Sequence, residues 1–167
     1  GLGGGGGHGG STQAGGVGLL LVSNSTRESR GDVAGMLTRA GLGAVRPEMV
    51  LTPVAAAAMA LPRGVRRPLV ALSESSKAEF EDVVRGVGGE GMRLFNPRSG
   101  AAPPSAANDN DGLLPDAVVL GLAPTELTYQ RLNEAFMAMR AATARGTEIP
   151  FIACNRSKAF IKDDKGT

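Results

Sequence analysis

Ser23 and Asn24 close the apolar run at residues 19–22, and Asn155 closes another that runs from residue 150 to Cys154. Polar side chains at the carboxyl end of an apolar strand stand where open α/β sheets bind ligands. A hydroxyl or an amide there can hold the polar atoms of a substrate. Neither is a strong base, and the residues that could act as one are few. His8 is the sole histidine and lies in the glycine-rich stretch 1–18. Cys154 has no histidine or nucleophile motif near it, so it reads as a small, partly buried side chain. Asn155, an Asn directly after a strand, reads by itself as a turn residue.

An alternation of strands and helices must position these groups. Residues 19–22 are continuously apolar, as expected of a parallel strand with both faces covered. Ser25 and Glu28 match the S-x-x-E capping box, and Val33, Met36, Leu37 and Ala40 follow on one helical face. That helix would start beside Ser23 and Asn24 and lend its positive end to an anion. Gly41 and Gly43 supply the left-handed stop. Residues 49–52 form a short strand or a turn, and residues 54–61 an Ala-rich helix with Pro53 in its first turn.

Residues 69–72 read as a buried strand, and residues 73–76 cap a helix whose inner face is Phe80, Val83, Val84 and Val87. Residues 117–121 are the next strand. Thr125 opens a helix with Tyr129, Leu132, Phe136 and Met139 on its core face, and Gly146 stops it. Residues 150–154 are a last strand, and residues 158–166 a hairpin or charged loop. Strands alternating with helices place the chain in the α/β class.

Two segments read as additions to this frame. Residues 1–18 are mostly glycine, which loses the most entropy on ordering and buries nothing, so they read as a disordered linker. A phosphate-binding glycine loop would need a strand before it, and none precedes. Residues 96–115, with two adjacent prolines and the run Asn108-Asp109-Asn110-Asp111-Gly112, read as a surface insertion. The alternating Asn and Asp look like the start of a calcium loop, but the closing Glu is missing from its place, where Leu120 stands.

Eighteen basic residues against sixteen acidic ones leave a net charge of +2, without a basic stripe interleaved with aromatics. Nucleic-acid binding therefore has no electrostatic footprint. The Arg63, Arg66 and Arg67 cluster reads as a solvated loop. One cysteine excludes an internal disulfide framework and fits a reducing compartment. No apolar run approaches the ~20 residues of a membrane span, and no secretory signal is recognisable. A cytoplasmic location is the expectation, unless a targeting segment lies upstream.

Three stretches, in order, carry a resemblance. Val22-Ser23-Asn24-Ser25-Thr26-Arg27-Glu28-Ser29 resembles V-T-N-T-T-K-E-S. Residues 118–124, followed by Tyr129-Gln130, Leu132-Asn133 and Ala135-Phe136, resemble V-V-x-G-L-A-P…Y-Q-x-L-N-x-A-F. Ile152-Ala153-Cys154-Asn155 resembles I-A-T-N, with Cys154 in place of Thr. The chain thus resembles the haloacid dehalogenase superfamily of phosphatases. Within it, the nearest branch is that of haloacid dehalogenase-like hydrolase domain-containing protein 2 and phospholysine phosphohistidine inorganic pyrophosphate phosphatase.

The resemblance implies part of a Rossmann-like core at residues 19–66 and an inserted α/β cap domain at residues 67–167, which closes over the site and helps choose substrates. It implies a phosphate contact at Ser23, with Asn24 shaping the same edge, and a cap contact at Asn155. It further implies a Mg2+ cofactor, a small phosphorylated substrate and a possible homodimer through the cap. The family's aspartate nucleophile in D-x-D-G-T, its later Lys and its acidic metal pair have no counterpart here. Asp163 and Asp164 are adjacent, late, and follow no apolar strand. The expectation is therefore a piece of a phosphatase, inactive by itself, since neither the covalent step nor the metal step has its residues. The alternative is a non-catalytic binding or scaffolding protein that keeps the cap.

Overall fold

Every strand of the computed structural model, which describes residues 19–43, 45–96 and 114–156, pairs in parallel. The elements are β1 (Leu21–Val22), α1 (Arg30–Arg39), β2 (Val50–Leu51), α2 (Pro53–Ala60), β3 (Pro68–Ala71), α3 (Glu74–Gly86), β4 (Ala117–Leu120), α4 (Tyr129–Ala144) and β5 (Phe151–Ala153). They make a two-stranded sheet, β1-β2, and a three-stranded sheet, β3-β4-β5. The α/β class holds. The glycine-rich stretch with His8, the Asn/Asp run and the tail with Asp163 and Asp164 lie outside the described residues.

The larger sheet is covered on both faces, as parallel sheets require. On one side Val70, Leu72 and Val119 pack against Val54, Ala55 and Ala58 of α2 and Phe80, Val83 and Val84 of α3. On the other, Leu69 and Val118 meet Ala135 of α4. Leu114 packs there against Ala138 and Ala141. Leu114 and Pro115 are thus buried, although composition grouped them with the 96–115 insertion.

Three expectations are corrected. The first strand is only two residues long, and Val22 is 75% exposed. The small sheet has α1 on one side, with Val33 and Ala34 packed on Val50, and a continuously apolar run does not show that its other side is covered. The first helix begins at Arg30, one turn later than the S-x-x-E pattern placed it. Its capping box is Ser29 and Asp32, while Ser25 Oγ bonds the Glu28 carboxylate within the preceding loop. α4 begins at Tyr129 with Thr128 as its cap. Its supposed core face points outward: Tyr129 is 86% and Phe136 54% exposed, and Leu132 and Met139 are exposed with them. Ala135, Ala138, Ala141 and Ala142 face the sheet instead, because small side chains let the helix lie close on it. Val87 and Met36, counted in apolar stripes, are exposed as well.

Candidate functional site

The carboxyl end of β1 is where the chemistry-bearing residues begin. Ser23 N–H donates to Leu51 O at 2.9 Å, extending the parallel ladder by one residue. The chain then turns. Ser23 Oγ accepts the Ser25 N–H at 3.2 Å, a hydroxyl-closed turn that fixes the side chain at the tip. A serine hydroxyl that accepts one bond still has its own O–H to give. Asn24 is exposed beside it.

Beyond the tip, the loop meets the carboxyl ends of β3 and β4. Thr26 Oγ1 accepts the Leu122 N–H at 3.0 Å, and Ser76 Oγ donates to Thr26 O at 3.2 Å. Ser73 Oγ donates to Arg27 O at 2.9 Å. Close approach here depends on Gly121. A Cβ at that position would come within 2.4 Å of Leu72 Cδ2 and 3.6 Å of Thr26 Cβ. Cys154 N–H donates to Leu120 O at 2.8 Å, so Asn155 follows at the end of β5, one strand beyond β4. Ser23 and Asn24 therefore share a tip, and Asn155 stands on the outer strand of the other sheet.

The expected help from a helix N-terminus is overturned. The first free N–H groups of α1 are already bonded to acids of the chain. Asp32 accepts from Ser29 N–H at 2.9 Å and from Ser29 Oγ at 2.7 Å, and these bonds hold its carboxyl below its ordinary value. Glu79, 6% exposed, accepts the Arg30 N–H at 2.7 Å and lies 3.3 Å from Arg30 Nε. It also accepts the Thr52 hydroxyl at 2.6 Å, and Thr52 in turn caps α2 through Ala55 N–H. Two carboxylates at that helix end already take up these N–H groups and offset its positive end.

Glu79, Thr52 and Thr26 were not singled out in the sequence, and two of them carried a signal. Glu79 sits four residues before Val83 on the apolar stripe of α3, and a charge inside such a stripe announces a buried partner. Thr52 precedes Pro53, a helix-start pair.

Cys154 packs partly buried against the core formed with α2 and α3. Burial pushes its thiol up to about 11, which keeps it protonated at neutral pH and agrees with a packing role. A cleft of about 540 Å³ opens between α3, residues 92–96 and the start of α4. Neither Ser23, Asn24 nor Asn155 lines it. Two of the cations that line it are paired: Lys77 bridges Glu74 at 2.7 Å and Glu126 at 2.9 Å, and Arg131 reaches Glu126 at 3.2 Å. Burial disfavours the Lys77 ammonium, but these two acids outweigh it and hold its pKa above the ordinary lysine value. Among the described residues, no three His, Cys, Asp or Glu side chains group to hold a metal. The side chains described therefore do not fit a magnesium centre. No helix among them is long and apolar enough to cross a membrane.

No family model matches the chain, and no curated protein matches it. Solved structures do. Glycerol phosphate phosphatase Rv1692 from Mycobacterium tuberculosis, in complex with calcium, is 28% identical, with 81% of this chain and 33% of that one covered at a TM-score of 0.54. Its magnesium complex gives 28%, 83%, 34% and 0.53. The p-nitrophenyl phosphatase from Archaeoglobus fulgidus gives 20%, 87%, 45% and 0.58. NagD from E. coli K-12 gives 19%, 82%, 43% and 0.52. The chain thus spans between a third and a half of the length of these structures. Its α/β fold is the one found in phosphatases of the haloacid dehalogenase superfamily.

Proposed function

We propose that the chain contributes a phosphate-contact strand tip and a covering α/β layer to a haloacid-dehalogenase-type phosphatase. The finer expectations from the sequence belong to this proposal: the branch named above, a magnesium-dependent aspartyl-phosphate route whose nucleophile these residues do not supply, and a small phosphorylated substrate. Ser23 would donate its hydroxyl to a phosphoryl oxygen. Asn24 would border the same edge, and Asn155 would approach from the covering layer.

The observation that carries the reading is the Ser23 tip. Its hydroxyl is held in place by Ser25 N–H and retains its proton to donate, at the carboxyl end of a parallel strand. The likeness to phosphatase structures supplies the class of ligand. The test is a titration of the 167-residue protein with inorganic phosphate, followed at the Ser23 and Asn24 amides by NMR. The expected result is saturable shifts confined to the tip and lost in Ser23→Ala. Shifts that survive Ser23→Ala, or none in the wild type, refute the reading.

One observation favours a second reading, binding to another copy through the covering layer. Tyr129, Leu132, Phe136 and Met139 form an outward apolar stripe on α4 at the three-and-four spacing of a helix-pairing seam. Sedimentation of the wild type against Leu132→Glu decides it: a dimer reduced to monomer supports it, and a wild-type monomer at high micromolar concentration sinks it.

A further inference from the structure

The loop after Ser23 and Asn24 is fastened to the other sheet by an alternating set of bonds. Thr26 offers its side chain to a backbone N–H of the covering layer, and that layer offers side-chain hydroxyls to the backbone of Thr26 and Arg27. The partners lie 96, 50 and 46 residues apart in the chain, so none of these contacts is a local turn. Thr26 is 2% exposed, so it cannot itself touch a ligand in solvent. Leu122 N–H, the first donor past Gly121 at the end of β4, has the Thr26 hydroxyl as its acceptor. Threonine suits this place twice over. Its hydroxyl takes the strand-end N–H, and its Cβ lies beside Gly121, 3.6 Å from where a side chain there would begin.

We propose that Thr26 is a positioning residue for the Ser23–Asn24 tip, setting its place relative to the covering layer through the Leu122 N–H. The tip lies between two fixed points. One is the ladder bond from Ser23 N–H to Leu51 O. The other is Thr26, three residues on. With both held, the intervening residues have little freedom, and the Ser23 hydroxyl meets an anion already oriented. With the second released, the tip must be ordered at the moment of binding, which weakens affinity without removing any contact to the ligand. The inference rests on the phosphate-edge reading for its ligand and on the hydrogen bonds alone for its geometry.

The experiment compares wild-type protein with Thr26→Val, which keeps the shape and removes the acceptor, and with Thr26→Ser, which restores it. Two readouts are taken from each: the exchange rate of the Leu122 amide, and the apparent Kd for inorganic phosphate at the Ser23 and Asn24 amides. Thr26→Val is expected to speed Leu122 exchange and raise the phosphate Kd about 5- to 10-fold, the effect of roughly one hydrogen bond, with recovery in Thr26→Ser. Faster Leu122 exchange with a phosphate Kd within twofold of wild type overturns the proposal, since Thr26 would then join the layers without positioning the tip. If the wild type binds no phosphate, the phosphate-edge reading fails by itself. Positioning is then decided by 15N relaxation at Ser23 and Asn24. Loosening in Thr26→Val that Thr26→Ser reverses supports it, and unchanged order overturns it. Should Thr26→Val not fold, Ser76→Ala, which frees the Thr26 carbonyl, is read in the same way.

Discussion

Replacing Glu79 by alanine should be among the most damaging single changes in the chain. The carboxylate is nearly enclosed and accepts from two donors, Arg30 N–H at 2.7 Å and the Thr52 hydroxyl at 2.6 Å, and it pairs in charge with the Arg30 guanidinium, whose Nε lies 3.3 Å away. Removing one member of a buried ion pair typically costs about 3–5 kcal/mol, because the other charge is left without its partner. The Arg30 side chain is 24% exposed and can recover part of its hydration, which argues for the lower end. The Thr52 hydroxyl and the Arg30 N–H lose their acceptor in an interior that offers no replacement, which pushes the other way. The expected loss for Glu79→Ala is therefore about 3 kcal/mol. Glu79→Gln keeps one carbonyl acceptor and nearly the same volume while losing the charge, for an expected loss of about 1–2 kcal/mol.

Urea unfolding followed by far-UV circular dichroism at pH 7 measures both losses. The order of the two variants matters as much as their size. A Glu79→Ala protein within about 0.5 kcal/mol of wild type would mean the carboxylate does not join α1, α2 and α3. A double-mutant cycle with Arg30→Ala adds a check on the pair itself. Residues in direct contact should show a coupling energy of about 0.5–3 kcal/mol, and additive losses would assign the effect to Thr52 and the Arg30 N–H, which Arg30→Ala leaves in place.

Burial and exposure set three further expectations. Phe80, fully buried between α2, α3 and the larger sheet, should cost about 3–5 kcal/mol when cut to alanine. Phe136→Ala should cost about 0.5 kcal/mol, mostly the loss of the Arg140 guanidinium 5.8 Å above its ring. Equal losses in urea titrations would return α4 to the orientation its sequence suggested. Cys154, raised by burial from 9.0 to about 11, should carry roughly 100-fold less thiolate at pH 8 than an ordinary cysteine and be alkylated by iodoacetamide more slowly in proportion. Its folded-state pKa lies above the unfolded one, so its contribution to stability is complete below pH 9 and is lost as pH rises toward about 11. Alkylation at the free-thiol rate in folded protein would contradict this burial.

Strands and helices were legible where one local signal sufficed. Pro53, Ser73, Gly41, Gly43 and Gly146 mark starts and stops through backbone chemistry that hardly depends on the rest of the fold. The face of α4 was not legible. Its sequence offers two stripes, one of large apolar residues and one of alanines, and periodicity favours the large ones. The sheet beneath chose the small ones, since Leu69 and Val118 already fill the space between helix and strands. The start of α1 failed for a related reason. Ser25-x-x-Glu28 and Ser29-x-x-Asp32 both fit a capping pattern, and the first is drawn into the loop by the bonds that Thr26 and Arg27 make to the other layer. The Ser23 tip was legible as a place but not as an electrostatic environment. The acids that fill the α1 N-terminus include Glu79, which lies 49 residues on.

The eight residues from Val22 to Ser29 that carry the phosphatase resemblance divide into two physical roles. Ser23 and Asn24 stand at the strand tip, where a ligand can reach them. Ser25 and Glu28 bond each other, Thr26 is buried against β4, the Arg27 carbonyl accepts from the cap of α3, and Ser29 caps α1. More of the stretch thus holds two layers together than faces outward. A likeness over these residues is in good part a likeness of joint rather than of chemistry. This division sets where substitutions should separate the two roles. Changes at Ser23 and Asn24 should alter anion contact with little effect on stability, and changes at Thr26 or Glu79 should alter stability first and anion contact only through the position of the tip.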